Sequence, residues 1–185
     1  GRIGAAKAIG NLGESVSLKQ LETLYHFIIS KGFKDPVKSV FNVFSVSGER
    51  LVKSTSEANK KQLSDVFEKY LKKMEKEKPR NQRDQEVLDY TMGNLAVFLG
   101  TVARFADYSP AQVGVVVDRL IQTLNIHSGT AQNAVSNSLS FLVRKMSSDE
   151  VDNVISPLFA KLSEGEYGDR RGAAFGIAGI LSGLG

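Results

Sequence analysis

Apolar residues recur along this chain at helical spacing from one end to the other. Leu18, Leu21, Leu24, Tyr25 and Ile28 or Ile29 follow each other at steps of three and four, ending near Gly32. Pro36 marks the start of a second helix with Val37, Val40, Phe41 and Phe44 on one face, and Ser47-Gly48 is expected to interrupt or bend it before Leu51 and Val52. From Ala58 to about Lys76, Leu63, Val66, Phe67, Tyr70, Leu71 and Met74 share a face opposite Lys, Asp and Glu. A polar linker, 77–81 with Pro79 inside it, precedes a long helix from about Arg83 to Ala106. That helix is apolar on more than one side between Leu95 and Ala103, the pattern of a helix buried between neighbours. Ser109-Pro110 places an N-cap before a first-turn proline. Further helices are expected from Gly129 or Thr130, from Ser147 or Ser148 with Glu150, and from about Asp169 to Leu184, with Gly165 and Gly168 breaking the chain before the last.

Strand signals are weak, with no series of alternating segments joined by hairpin dipeptides. Short loops between successive helices imply antiparallel neighbours. Helix pairs begin near Leu18, Ala58, Pro110 and Ser147, at intervals of about 40, 52 and 37 residues, which bracket the period of two-helix HEAT and armadillo repeats. The expected fold is therefore all-α, an α-solenoid of HEAT/armadillo-type antiparallel helix pairs. It reads as one array: a half repeat over 1–13, then pairs over about 17–57, 58–106, 110–145 and 147–185.

The two ends of the chain resemble each other. Arg2, Gly4, Ala5, Ala6 and Ile9 align without gaps with Arg170, Gly172, Ala173, Ala174 and Ile177. Gly172, Gly176, Gly179 and Gly183 all fall inside the last helix, and four such glycines cost an isolated helix about 4 kcal/mol relative to alanine. Packing must recover that cost, so Arg2, Gly4, Ala5, Ala6, Arg170, Arg171, Gly172, Ala173, Ala174, Gly176, Gly179 and Gly183 are the expected inter-repeat packing residues. Arg170 and Arg171 are expected to join an ion-pair ladder, with Asp169 and Asp152 as available partners.

Composition removes several chemistries. The 185 residues include 0 Cys and only 2 His, which excludes disulfides, thiolate metal sites and a Cys nucleophile. His26 and His127 are isolated from one another, so no metal site is expected. The glycine-rich helix lacks both phosphate-loop patterns and no strand precedes it, so no cofactor or small-molecule substrate is expected. Neither a secretory signal nor a membrane-spanning run is expected. Both ends read as cut from a longer chain.

The net charge of +4 is local. Lys72, Lys73, Lys76, Lys78, Arg80 and Arg83 face only Glu75 and Glu77 within 72–83, which accounts for the whole excess. Such a run suits a polyanion, nucleic acid or acidic protein, although it contains no aromatic residue for base stacking. The plainer reading is a solvated helix end, where the C-terminal dipole favours lysine. Ser54-Thr55-Ser56 is a possible phosphorylation cluster whose plainer reading is a helix end or exposed turn.

Residues 169–185, Asp-Arg-Arg-Gly-Ala-Ala-Phe-Gly-Ile-Ala-Gly-Ile-Leu-Ser-Gly-Leu-Gly, resemble the RRGAAYGLAGLVKGLG helix of the general control non-derepressible translational activators. Residues 128–143 are similar to the helix before it. Phe175, Ile177 and Ser182 stand where that family more usually has Tyr, Leu and Lys. The resemblance is specific over about 60 C-terminal residues and generically HEAT-like elsewhere. These are giant HEAT-repeat proteins that bind translating ribosomes and activate the initiation factor two alpha kinase in amino-acid starvation. The resemblance implies a cytoplasmic, non-enzymatic scaffold lying at or just before a region similar to elongation factor three. Its implied partners are ribosomes and polysomes, neighbouring HEAT repeats and, through other parts of the protein, the stress kinase. It carries over no catalytic residue. The basic run then becomes a candidate ribosome contact. The alternative is a generic HEAT adaptor of the transport-receptor or phosphatase-scaffold type.

Overall fold

A computed structural model describes the backbone of residues 1–185 and every side chain except that of Glu14. Among the described residues there are nine α-helices and no strand: α1 Arg2–Gly10, α2 Leu18–Ser30, α3 Lys38–Ser54, α4 Glu57–Glu75, α5 Gln82–Phe105, α6 Pro110–Thr123, α7 Gly129–Leu142, α8 Ser148–Glu164 and α9 Tyr167–Leu184. None of them is long and apolar enough to cross a membrane.

Polar caps start most of these helices. Ser17, Ser109 and Ser147 accept from the backbone N–H three residues on, while the side chains of Gln20, Gln112 and Glu150 reach back to complete capping boxes. Ser56, Asn81 and Ser128 cap α4, α5 and α7 with single side-chain bonds. Each such cap contributes about 1 kcal/mol. Ser56 of the suggested phosphorylation cluster is therefore a cap, and Thr55 beside it is buried rather than in an exposed turn.

The odd-numbered helices stand side by side in a row, α1–α3–α5–α7–α9. The even-numbered helices form a second row over it: α2 and α4 touch α3, α4 and α6 touch α5, α6 reaches α7 and α9, and α8 lies on α9. One apolar core runs from Ala6 to Leu142, and a smaller one of Val143, Val151, Leu158, Ala173, Ile177 and Ile180 lies between α8 and α9. In α5 nearly every residue from Thr91 to Ala103 is buried, because neighbours cover it on several sides.

Small residues make each junction of the row possible. A Cβ on Gly10 of α1 would stand 3.1 Å from Ser47 Cα of α3, and one on Gly93 of α5 would stand 2.8 Å from Ala131 Cβ of α7. A Cβ on Gly48 of α3 would strike the Phe98 ring of α5, and on Gly179 or Gly183 of α9 it would strike the backbone of Ser136 or Ser140 in α7. Gly172 lies against Leu124 O, where a Cβ would come to 2.8 Å, and Gly176 against Leu158. Ala6 and Ala173 are buried, whereas Arg2, Ala5, Arg170 and Ala174 are exposed. Gly4 is exposed too, with open space where its side chain would be.

Three local expectations need correction. Ser47-Gly48 does not interrupt α3: both are buried, the Phe98 ring rests on Gly48, and the Tyr25 hydroxyl donates to its carbonyl at 2.7 Å. Helix α3 starts two residues after Pro36, because Asp35 accepts from Val37 N–H at 2.9 Å and holds the chain in a turn. Gly168 falls inside the first turn of α9, which begins at Tyr167 rather than Asp169.

The expected ladder through Arg170 and Arg171 is also not formed. Neither makes an ion pair among the described residues; Arg171 instead lays its guanidinium over Gly129 at the start of α7. Polar ties between row helices run elsewhere. Arg2 pairs with Asp35 at 3.0 Å ahead of α3. The buried Asp89 of α5 accepts from His127 N–H at 3.0 Å ahead of α7. At the opposite edge, Lys145 donates to Ala103 O at 3.1 Å and to Arg104 O, and Arg144 donates to Gly183 O at 3.0 Å. These cations satisfy carbonyls at helix C-termini, where the dipole favours positive charge.

An aromatic cluster locks the rows together. Tyr25 of α2 meets Phe67 of α4 edge-on at 4.8 Å, and both lie against Phe98 of α5 at 5.7 and 5.5 Å. Complete burial pushes the Tyr25 hydroxyl well above the ordinary tyrosine pKa.

Two predictions follow from this packing. Gly179→Ala should cost about 1–3 kcal/mol through overpacking against Ser136, whereas Gly114→Ala, at an open position in α6, should gain about 0.5–1 kcal/mol from helix propensity. Urea midpoints read both. Tyr25→Phe should cost about 0.5–1.5 kcal/mol at neutral pH by removing the hydroxyl's hydrogen bond to the Gly48 carbonyl, which keeps its partner within α3. A raised pKa in the folded state supplies stability below the unfolded tyrosine value and loses it as pH rises toward the folded one. The gap between the parent chain and Tyr25→Phe should therefore narrow above about pH 10, which denaturation across pH would show.

Candidate functional site

The six cations of the basic run occupy the end of α4, the linker after it and the first turn of α5, and all are exposed. They do not act as one patch. Lys73, Lys78, Arg80 and Arg83 line a groove of about 620 Å³ between α2, α4 and α5. Lys72 faces a different cleft, between α4 and α6, and Lys76 lines neither. Helix geometry separates them: neighbouring residues on a helix point about 100° apart, so Lys72 and Lys73 cannot serve the same wall.

The fold adds residues to the groove that lie far away in sequence. Lys34 enters from the turn after α2, and His26 from α2 itself. Tyr70 of α4 stands in the wall and shares a 3.1 Å hydrogen bond with His26 Nδ1. Burial chiefly, with the nearby Glu22 charge, raises the Tyr70 hydroxyl pKa. The absence of an aromatic residue inside 72–83 therefore does not describe the site, since Tyr70 lies just outside that window. Ile29, Met74, Val87 and Leu88 add apolar lining.

Two carboxylates temper the charge, Glu77 and Asp84. Arg80 Nε holds Asp84 Oδ2 at 3.0 Å, and the Arg80 N–H reaches the same oxygen at 3.4 Å. The Arg80 side-chain hydrogen bond is the main reason that the Asp84 carboxyl lies below its ordinary value, and the charge of Lys34 lowers it further. Five cations thus face two carboxylates, one of which is already committed.

On the other side of the linker a second groove of about 660 Å³ lies between α4, α5, α6 and α9, and shares Met74, Glu77, Pro79 and Leu88 with the first. Its charges are mixed. Arg119 is tied to Glu68 at 3.0 Å and to Glu75, while Asp89 approaches His127 Nδ1 at 3.8 Å from a distant helix. Among the described residues no group of three His, Asp or Glu side chains is placed to hold a metal ion. Charge and apolar cover are what both grooves offer, which is the chemistry of binding.

Two rows of antiparallel helices, joined at each step by close small-residue contacts, define a HEAT-type α-solenoid with charged grooves at its turns. The family profile described as stalled ribosome sensor GCN1, HEAT repeats, matches residues 1–104, and the chain belongs to that family. Over its whole length it is similar to the eIF-2-alpha kinase activator GCN1 of Dictyostelium discoideum, at 33% identity across 187 residues. It is likewise similar to Protein ILITYHIA of Arabidopsis thaliana at 32% and to the stalled ribosome sensor GCN1 of Homo sapiens at 28%. The chain spans about 7% of the length of each of these relatives. No solved structure matches it.

Proposed function

We propose that this chain is a non-enzymatic scaffold segment in cytoplasmic translational control. It forms part of a ribosome-binding activator of the stress-responsive eIF-2-alpha kinase, and holds its neighbouring HEAT repeats in register along the array. In this reading the repeat units are the half repeat 1–13 and the pairs 17–57, 58–106, 110–145 and 147–185. The kinase is engaged through other parts of the protein, and the segment contributes stiffness and a ribosome-facing surface. The observation that carries this reading is the full-length similarity to a kinase activator and a ribosome sensor. The continuous row supports it as well, because each helix there is built to be pressed by another.

A replacement experiment tests this. In Dictyostelium cells, the 187 residues of GCN1 that match this chain are deleted or replaced by it. Deletion should reduce both polysome co-sedimentation of GCN1 and eIF-2-alpha phosphorylation on amino-acid starvation, and replacement should restore both. Full activity after deletion would sink the reading. Retained co-sedimentation with lost phosphorylation would place the segment's role in the scaffold rather than in ribosome contact.

A further inference from the structure

We propose that the groove between α2, α4 and the start of α5 binds the phosphate backbone of single-stranded RNA, with a base covered by its apolar lining. This deepens the ribosome-linked reading and rests on it.

Charge is the first support. Lys34 and, from the stretch 73–83, Lys73, Lys78, Arg80 and Arg83 converge on one concavity lined by two carboxylates, Glu77 and Asp84, with Glu22 near its Tyr70 wall. All five cations are exposed, and only Arg80 is held by an ion pair within the groove. The Gln82–Phe105 helix also opens here, so the positive end of its dipole adds to the field.

The type of cation is the second support. Three of the five are lysines, compact point charges that suit phosphate oxygens arriving from several directions. The Arg80 guanidinium meets Asp84 through Nε, which leaves its two Nη groups able to reach a phosphate.

Shape is the third. The volume of about 620 Å³ is that of a small-molecule pocket and accommodates a nucleotide. Ile29, Met74, Val87, Leu88 and the Tyr70 wall provide cover for a base beside the cations. A duplex keeps its bases stacked inside and could touch only the rim, whereas a single strand can turn a base inward.

The test measures fluorescence anisotropy of a labelled 12-nucleotide single-stranded RNA with the full chain over a salt series. A duplex of the same length and poly-glutamate serve as competitors. The single strand should bind at least about tenfold tighter than either competitor, with log affinity falling against log salt at a slope of about −2 to −3, equal to three or four phosphate contacts. Lys34→Gln, Lys73→Gln and Lys78→Gln together should weaken RNA binding by at least about tenfold and bring the slope up by about 2. The charge-matched set Lys61→Gln, Lys72→Gln and Lys76→Gln, outside the groove, should change affinity by no more than about twofold. All six lysines are exposed, so circular dichroism should show both variants folded.

Equal weakening by the two sets would overturn the proposal in favour of diffuse charge. Tighter binding of poly-glutamate would overturn it in favour of an acidic protein partner. A duplex that competes as well as the single strand would overturn the shape argument. The two experiments have separate readouts: this one titrates RNA against the chain, and the other follows GCN1 in polysomes and eIF-2-alpha phosphorylation. A failure here alongside reduced co-sedimentation on deletion therefore removes the groove assignment and leaves the scaffold reading standing.

Discussion

The close approach of backbones along the α1–α3–α5–α7–α9 row is the constraint on which the rest of this structure depends. At every junction one helix presents a glycine and the next presents serine, alanine or a ring: Gly10 to Ser47, Gly48 to Phe98, Gly93 to Ala131, Gly179 to Ser136. A glycine inside a helix costs about 1 kcal/mol, and at these four junctions close contact offsets that loss, as it does not at the open Gly4 and Gly114. The short separation also brings polar groups of successive repeats within reach. Arg2 finds Asp35, Asp89 finds the His127 backbone, and Lys145 finds the end of α5. Tight spacing in one row sets the spacing of the other, and Tyr25, Phe67 and Phe98 fill what lies between them.

The grooves are a consequence of that spacing. Where α2 and α4 ride on the row, their turns project at one edge, and the space between consecutive turns is concave. The turn after α2 carries Lys34, and the linker after α4 carries Lys78 and Arg80. Stacking the repeats concentrates charge that the linear sequence distributes between two repeats. The arrangement can change its charge without disturbing the core, because the cations are exposed and the apolar lining belongs to helices already fixed by packing.

Much of the fold was legible in the order of residues. Serine caps, the first-turn Pro110 and apolar spacing located the helices, and the all-α solenoid followed from their short connections. Errors arose where local propensity met tertiary contact. Ser47-Gly48 looks like a break to anyone counting propensities, and becomes sound helix once Phe98 and Tyr25 press on it. The candidate site was legible only in part. A run of six cations is visible in the sequence, but not that four share a groove, that Lys72 and Lys76 do not, or that Tyr70 and His26 meet there. The one signal pointing to Lys34 is its place in a turn between the two helices of a pair, matching that of Lys78 one repeat later.

By itself, then, the amino-acid sequence determined the helices, the solenoid class and the location of the excess charge. These depend on interactions over three or four residues and on a count of side chains. Tertiary structure alone decided which glycines touch a neighbour, that Arg171 covers Gly129 instead of joining a ladder, and that Gly4 faces open space. It also decided which cations converge. His26 and Tyr70 are 44 residues apart, and no local rule relates them. They meet because two helices of successive repeats pack at a distance set by the small residues beneath them.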